Sequence, residues 1–233
     1  MNTNTELERV SSTRRVLLAL TMLVAPLALV IGHLITVSAS EDSDALIRDI
    51  IAAGPRYVPS TILIAFGVLL LPVAFVGLMR FAPGRGGILV TIGAALSTIA
   101  ALGAGAGNAM FGMVLGSLLP GHPQLARQVI EVAGNSSAAT WEWQVFYLFP
   151  IGLVLMAIGL ILARRLPVWM PIILGVGSIL LLISGAGGLY TFVMLLPLAV
   201  GLAAPGVTLL TRSPAGRRRA AEAAAQVQHV DSE

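Results

Sequence analysis

The chain has 233 residues, of which 57% are hydrophobic and only 11% are charged, and its mean hydropathy is +0.91. A water-soluble domain of this size needs a more polar surface, so the composition predicts a protein solvated largely by lipid. The net charge of +3 is spread over short connections and a tail, which argues against nucleic-acid binding. The absence of cysteine excludes disulfides, thiolate catalysis and cysteine-ligated metals, and we expect no cofactor.

Six apolar runs of roughly 20 residues, the length that crosses a bilayer core, follow one another along the chain. We therefore predict an all-α polytopic membrane protein whose six transmembrane helices form three hairpins. This transmembrane domain, 16–211, follows an N-terminal segment, 1–15, and precedes a basic tail, 212–233. The predicted spans are Val16–Val37, Val58–Met79, Gly87–Gly107, Gln144–Ala163, Val168–Ser184 and Leu189–Leu210.

The 14 basic residues are all arginines, none lies inside a span, and most occupy every second connection. Arginine and lysine are retained on the cytoplasmic side of a membrane, so the larger set predicts that both termini are cytoplasmic and that the protein lies in the cytoplasmic membrane. The larger set is Arg9, Arg14, Arg15, Arg80, Arg85, Arg164, Arg165, Arg212, Arg217, Arg218 and Arg219, and the smaller set is Arg48, Arg56 and Arg127.

Two interpretations of the first span remain open. Arg14-Arg15 before an apolar run resembles a twin-arginine export signal, and 37–39 resembles a signal-peptidase site. The apolar run, however, is longer than the roughly 7–15 residues of a signal sequence. We therefore favour a permanent first span anchored by the two arginines.

Two segments outside the spans have the pattern of amphipathic helices on the outer face. In the first, 40–55, Asp44 and Arg48 are spaced to pair along the helix, and a Gly-Pro pair ends it. In the second, 123–134, a polar stripe that includes Glu131 opposes the apolar one. We expect both to lie at the membrane surface. The predicted apolar faces are Leu46, Ile47, Ile50 and Ile51 in the first helix, and Leu125, Val129 and Val132 in the second.

The two outer helices also indicate an internal repeat. Their sequences align apart from one inserted residue, and Pro72 and Pro150 occupy corresponding places in the spans that follow. A unit of span, outer helix and returning span is thus predicted to occur twice. Such repeats are found in transporters and in plain structural bundles alike.

The third span is unusually long and rich in glycine. The apolar stretch continues past Gly107 to Leu119, which as a helix exceeds a bilayer core of about 30 Å. Either the helix continues as one tilted rod, or it breaks near Gly103–Gly107. Gly103/Gly107 and Gly112/Gly116 are GxxxG pairs, which predict close helix packing.

Polar and aromatic residues near the outer ends of the spans form a candidate ligand pocket. His33 and Asn108 have similar predicted depths, and Glu142 stands between Trp141 and Trp143. The alternative is structural: an interfacial histidine, a capping or interhelical asparagine, and an aromatic belt at the membrane surface.

The absence of Asp, Glu and Arg from the middle of every span argues against a proton relay, a voltage sensor or a carboxylate metal site. We expect a non-enzymatic structural or interaction component of the membrane. Its partners would be the bilayer and, through span three, a second copy or another membrane protein. The alternative is a permease or binding protein for a small, largely apolar solute entering from the outer face. An enzyme acting on lipid-linked substrates ranks last, because convergent acids and bases are missing.

Overall fold

A computed structural model describes residues 3–35, 43–184 and 188–211, with side chains for 12–35, 44–137, 144–182 and 193–211. The described residues are overwhelmingly helical and include no β-strand. A 3₁₀ turn, Gly54–Arg56, separates the second helix from the third, and a π-helical turn, Ala101–Gly105, separates the fourth from the fifth. The α-helices are α1 (Thr3–Ile35), α2 (Ser43–Ala53), α3 (Tyr57–Met79), α4 (Arg85–Ala100), α5 (Ala106–Leu118), α6 (Pro123–Gly134), α7 (Ser137–Ala163), α8 (Trp169–Ser184) and α9 (Gly188–Thr211).

Five helical stretches in the described part are long and apolar enough to cross a membrane. The fifth predicted span differs from the others, because α8 has 16 residues and is about 24 Å long, shorter than a bilayer core. The described part of the chain is therefore all-helical, with five membrane-compatible helices and a sixth, shorter apolar one. The five stretches are Ser12–Ile35, Asp44–Met79, Arg85–Leu118, Gln144–Ala163 and Val193–Thr211.

The long helices pack in antiparallel pairs. Two glycines show how closely α1 and α3 approach each other. A Cβ atom added to Gly32 would approach the Ser60 carbonyl, and one added to Gly77 would approach Met22 at the opposite end of the pair. The other two pairs are α4 with α7, and α8 with α9. Contacts of α1 with α9, of α7 with α8 and of α3 with α5 join the pairs into one bundle.

The interior of the bundle is apolar and closely packed, and much of its exterior is also apolar. Met22, Leu71 and Leu153 are fully buried, whereas Leu17 and Ile88 remain 57% and 64% exposed. Exposed large apolar side chains recur on α1, α3, α4, α7 and α9. Water disfavours such a surface and hydrocarbon accepts it, so the pattern supports solvation by lipid.

The pair of α4 and α7 is built on reciprocal glycines. A Cβ at Gly152 would lie 2.5 Å from the Gly93 carbonyl oxygen, and a Cβ at Gly159 would lie 2.7 Å from that of Gly86. Each pair of glycines on one helix is seven residues apart, which is two turns, so both face the partner helix. The hydroxyl of Ser97 donates a hydrogen bond to the Phe149 carbonyl across the same contact, at 3.0 Å. The backbones therefore meet with almost no side chain between them.

The third predicted span is one helical rod, without the break that the sequence left open. Arg85–Leu118 is helical for 34 residues and contains the π-helical turn. A π turn inserts one extra residue, which rotates the faces on either side of it relative to each other. As a result, α4 presents its glycines to α7, while Gly112 in α5 faces Thr61 of α3. The rod thus joins two different helix contacts.

Candidate functional site

The amphipathic helices α2 and α6 pack against each other, and we call this pair the cap. Gly54, at a φ of 53°, and Pro55 turn the chain between α2 and α3, so α2 folds back over the end of the bundle. The cap covers the first turn of α3 and the last turn of α5. A hydrophobic cluster separate from the main core holds it there, formed by Ile50, Ala53, Tyr57, Leu115, Leu119, Ala126 and Ile130.

The face of α6 that is buried differs from the predicted one. The structure buries Ala126 and Ile130 and leaves Leu125 and Val132 47% and 72% exposed, with Val129 at the boundary. Leu125 and Val132 therefore remain available for the contact with the membrane surface, which stays a prediction, while the small side chain of Ala126 lets α6 approach α2 and α5 closely. Similarly, Ile50 of α2 is buried in the cluster, whereas Ile51 is 58% exposed.

An ion pair joins the two helices of the cap. The Arg127 guanidinium of α6 donates to the Asp44 carboxylate of α2. Both side chains are about half exposed, at 52% and 51%, so water screens their attraction. The spacing of Asp44 and Arg48 had predicted a pair within α2. The contact with Arg127 depends on the approach of two helices 83 residues apart in sequence, which spacing within one helix does not reveal.

The four predicted packing glycines are divided between two environments. A Cβ at Gly112 would meet the Thr61 methyl at 2.8 Å, and a Cβ at Gly116 would meet the Tyr57 ring at 2.7 Å. These two glycines therefore pack against α3. Gly103 and Gly107 are exposed, and a Cβ at Gly103 would have only ordinary contact with Val145, at 3.4 Å.

The two predicted pocket residues with described side chains lie on different helices, His33 on α1 and Asn108 on α5. The half-buried His33 hydrogen-bonds through Nδ1 to the carbonyl of Leu29 in its own helix, at 2.9 Å. Asn108 is exposed on α5. Helix α3 packs between α1 and α5, with Ser60 toward α1 and Thr61 toward α5. The helices that carry His33 and Asn108 thus contact α3 at neighbouring residues, and a meeting of these two side chains stays a prediction.

Trp141, Glu142 and Trp143 belong to α7, but their side chains lie outside the described residues. The convergence of these three with His33 or Asn108 therefore remains a prediction. Among the described residues, no group of three or more His, Asp or Glu side chains is placed to hold a metal ion.

Charge is distributed unequally between the two ends of the bundle. Every carboxylate among the described side chains, namely Asp44, Asp49 and Glu131, lies on a helix of the cap. The opposite end, which we call the arginine end, holds arginines in the N-terminal half of α1, around the connection of α3 to α4, and after α7. They are Arg14, Arg15, Arg80, Arg85, Arg164 and Arg165.

Two shallow depressions lie on the surface of the described part. One lies on α6, around Val129 and Val132, and the other lies at the connection of α3 to α4, around Met79 and Ile88. A permease requires a route into the bundle, and neither depression enters it. The described residues provide no observation that favours the permease alternative.

Comparisons with protein-family models, with curated proteins and with solved structures each returned no match to this chain. The proposals below therefore depend on the residues of this chain alone.

Proposed function

We propose that the chain is an integral protein of the cytoplasmic membrane, with six spans in three hairpins and both termini inside. The apolar exterior of the bundle supports membrane insertion. The collection of arginines at one end supports the orientation, because basic residues are retained on the cytoplasmic side. The short helix α8 is accommodated by local thinning of the bilayer around it, which costs little.

The orientation is tested by single cysteines, because the chain has none of its own. Pro83→Cys places a thiol at the arginine end, and Gln124→Cys places one on the cap, both at exposed positions. A membrane-impermeant maleimide added to intact cells should label Gln124→Cys and leave Pro83→Cys unlabelled until the cells are permeabilised. Labelling of Pro83→Cys in intact cells would contradict the orientation.

We further propose that the protein is a non-enzymatic interaction component that associates with a second copy of itself through the exposed face of α5. This face, the α5 face, comprises Gly107, Met110 and Val114 of α5 together with Gly103 of the preceding π-helical turn, and all four are exposed. The observation that carries the proposal is the contrast among the glycines of the rod. Gly86, Gly93, Gly112 and Gly116 receive another helix of the same chain, whereas Gly103 and Gly107 are left exposed.

The length of the rod also supports a protein partner at the α5 face. Counted from Arg85, about 20 residues cross the hydrocarbon, and Met110 and Val114 lie beyond that point. These two side chains are nevertheless 63% and 50% exposed. Apolar side chains near the membrane surface gain from being covered by protein. Exposed small residues allow another backbone to come close enough to do so.

Disulfide cross-linking in membranes tests the self-association. Val114→Cys on the α5 face should give a covalent dimer under mild oxidation. Val200→Cys, which is 45% exposed on α9, is the matched control and should remain monomeric. Equal cross-linking at both positions would indicate random collision. Absence of a dimer at Val114→Cys would contradict the proposal.

A bulky substitution provides a second test. Gly107→Leu should reduce cross-linking through Val114→Cys at least tenfold, because the added side chain separates the two helices. Gly121→Leu makes the same change where nothing lies within 4 Å and should leave cross-linking unchanged. Unchanged cross-linking in Gly107→Leu would show that Gly103 and Gly107 are not part of the proposed contact.

A further inference from the structure

The connection between α3 and α4 at the arginine end forms a groove of about 390 Å³. Its apolar walls are Met79 and Ala82 on one side, and Ile88 and Ile92 on the other. Cavities that bind small molecules in proteins start at about 300 Å³, so the groove has room for part of a ligand. It lies on the outside of the bundle, where lipid reaches it.

Two glycines make this groove concave. Gly84 adopts a φ of 71°, which turns the chain from α3 into α4. At Gly87 a Cβ would lie 2.5 Å from the Ala82 carbonyl oxygen, so only glycine lets the start of α4 approach the end of α3 this closely. The Thr91 hydroxyl in the wall donates to the Gly87 carbonyl at 2.8 Å. Because the Thr91 hydroxyl is hydrogen-bonded within α4, this part of the wall can contact an apolar group.

In the sequence, two arginines are next to residues that line the groove. Arg80 follows α3 and Arg85 begins α4, and both are exposed on either side of the Gly84 turn. All described carboxylates lie at the opposite end of the bundle. Gly84 also leaves α4 without a side-chain N-cap, so the positive end of the helix dipole adds to the same field. An apolar groove next to two arginines complements a molecule with an anionic head and an apolar chain.

We propose that this groove binds an anionic phospholipid. The phosphate lies between Arg80 and Arg85, and one acyl chain follows Met79, Ile88 and Ile92 toward the middle of the membrane. Arginine matches the phosphate in geometry as well as in charge. Basic sites between helices at the cytoplasmic surface bind anionic head groups for the same reason. The inference rests on the proposed membrane insertion but is independent of self-association through α5.

Native mass spectrometry of the full chain, released from detergent with added lipid, tests the site. Phosphatidylglycerol should remain bound, and phosphatidylcholine at equal concentration should not. The double variant Arg80→Gln/Arg85→Gln should bind phosphatidylglycerol about thirty-fold more weakly, from about 1 kcal/mol per arginine. The matched control Arg164→Gln/Arg165→Gln removes the same charge at the same end and should retain the lipid. Equal loss in both variants would reduce the effect to unspecific attraction and overturn the proposal.

A third variant tests the groove without changing charge. Thr91→Trp, at an exposed position in the wall, should fill the acyl path and weaken phosphatidylglycerol binding at least tenfold. Unaltered binding by Thr91→Trp would overturn the acyl-chain assignment. Competition by millimolar inorganic phosphate would show a free-anion site and would likewise overturn it. The outcome is distinct from that of the cross-linking experiments, which report on α5 alone.

Discussion

The two ends of the bundle are organised in opposite ways. At the cap, charges of both signs occur together, an ion pair joins Asp44 to Arg127, and a separate apolar cluster holds the helices in place. At the arginine end, described side chains supply six arginines and no carboxylate, and the helices are joined by short connections. Charged and apolar side chains of the cap thus have partners within the chain. An anionic membrane surface attracts a collection of basic side chains of this kind.

The rod formed by α4 and α5 also differs between its two ends, in the atoms that its glycines contact. Toward the arginine end, glycines of α4 meet backbone carbonyls of α7, which cannot move aside. Toward the cap, Gly112 and Gly116 of α5 meet the side chains of Thr61 and Tyr57, which can adjust. Tolerance of substitution should therefore increase along one helix, from the arginine end to the cap.

The largest effect is expected at Gly93. Gly93→Leu should destabilise the protein by about 3 kcal/mol or more, because the side chain would overlap Met156 and the backbone of Gly152. Gly103→Leu is the matched control on the same rod and should change stability by less than about 0.5 kcal/mol. Thermal unfolding of the two variants in detergent measures the difference. Equal destabilisation would mean that the two halves of the rod do not differ in packing.

A smaller and more local effect is expected in the cap. Ile130→Ala should destabilise the packing of the cap by about 2 kcal/mol, because Ile130 is buried in the apolar cluster that holds α2 and α6. This value is at the low end for such truncations. Leu125→Ala removes an exposed side chain of the same helix and should have almost no effect. Hydrogen exchange should show faster exchange in α2 and α6 of Ile130→Ala and unchanged exchange in α3. Loss of protection throughout the bundle would show that the cap and the core unfold together.

The smallest effect is expected for the ion pair of the cap. A double-mutant cycle of Asp44→Asn and Arg127→Gln should give a coupling of about 0.5 kcal/mol, because both side chains are half exposed. The coupling should decline further in high salt, since exposed charges are screened. A coupling several times larger would mean that the ion pair, rather than the apolar cluster, holds α2 to α6.

Several features of the fold could be predicted from residues in sequence order. Long apolar runs predicted the helices that can cross a membrane, because the hydrophobic length is a local property. Segments 40–55 and 123–134 were predicted to be separate amphipathic helices, and the structure has helices at Ser43–Ala53 and Pro123–Gly134. The Gly54-Pro55 pair predicted the end of the first of them, where the structure has a 3₁₀ turn.

Other features were missed because they depend on two segments meeting. Gly86 and Gly93 form the contact with α7, but they are seven residues apart, so the GxxxG spacing of four residues does not include them. A seven-residue spacing shared with Gly152 and Gly159 was the signal that could have revealed them. The π turn at Ala101–Gly105 had no distinctive residue pattern beyond its glycines.

The sequence by itself determined that the chain is helical and largely apolar, and it determined where its arginines lie, since hydropathy, helix length and charge are properties of short segments. Only the tertiary structure decided which glycines touch another helix and which remain exposed. It also decided that Ile130 rather than Val132 is buried in the cap, and that Asp44 contacts Arg127. The physical reason is that an amphipathic pattern defines a wide apolar arc, whereas packing between particular helices selects which part of that arc is covered.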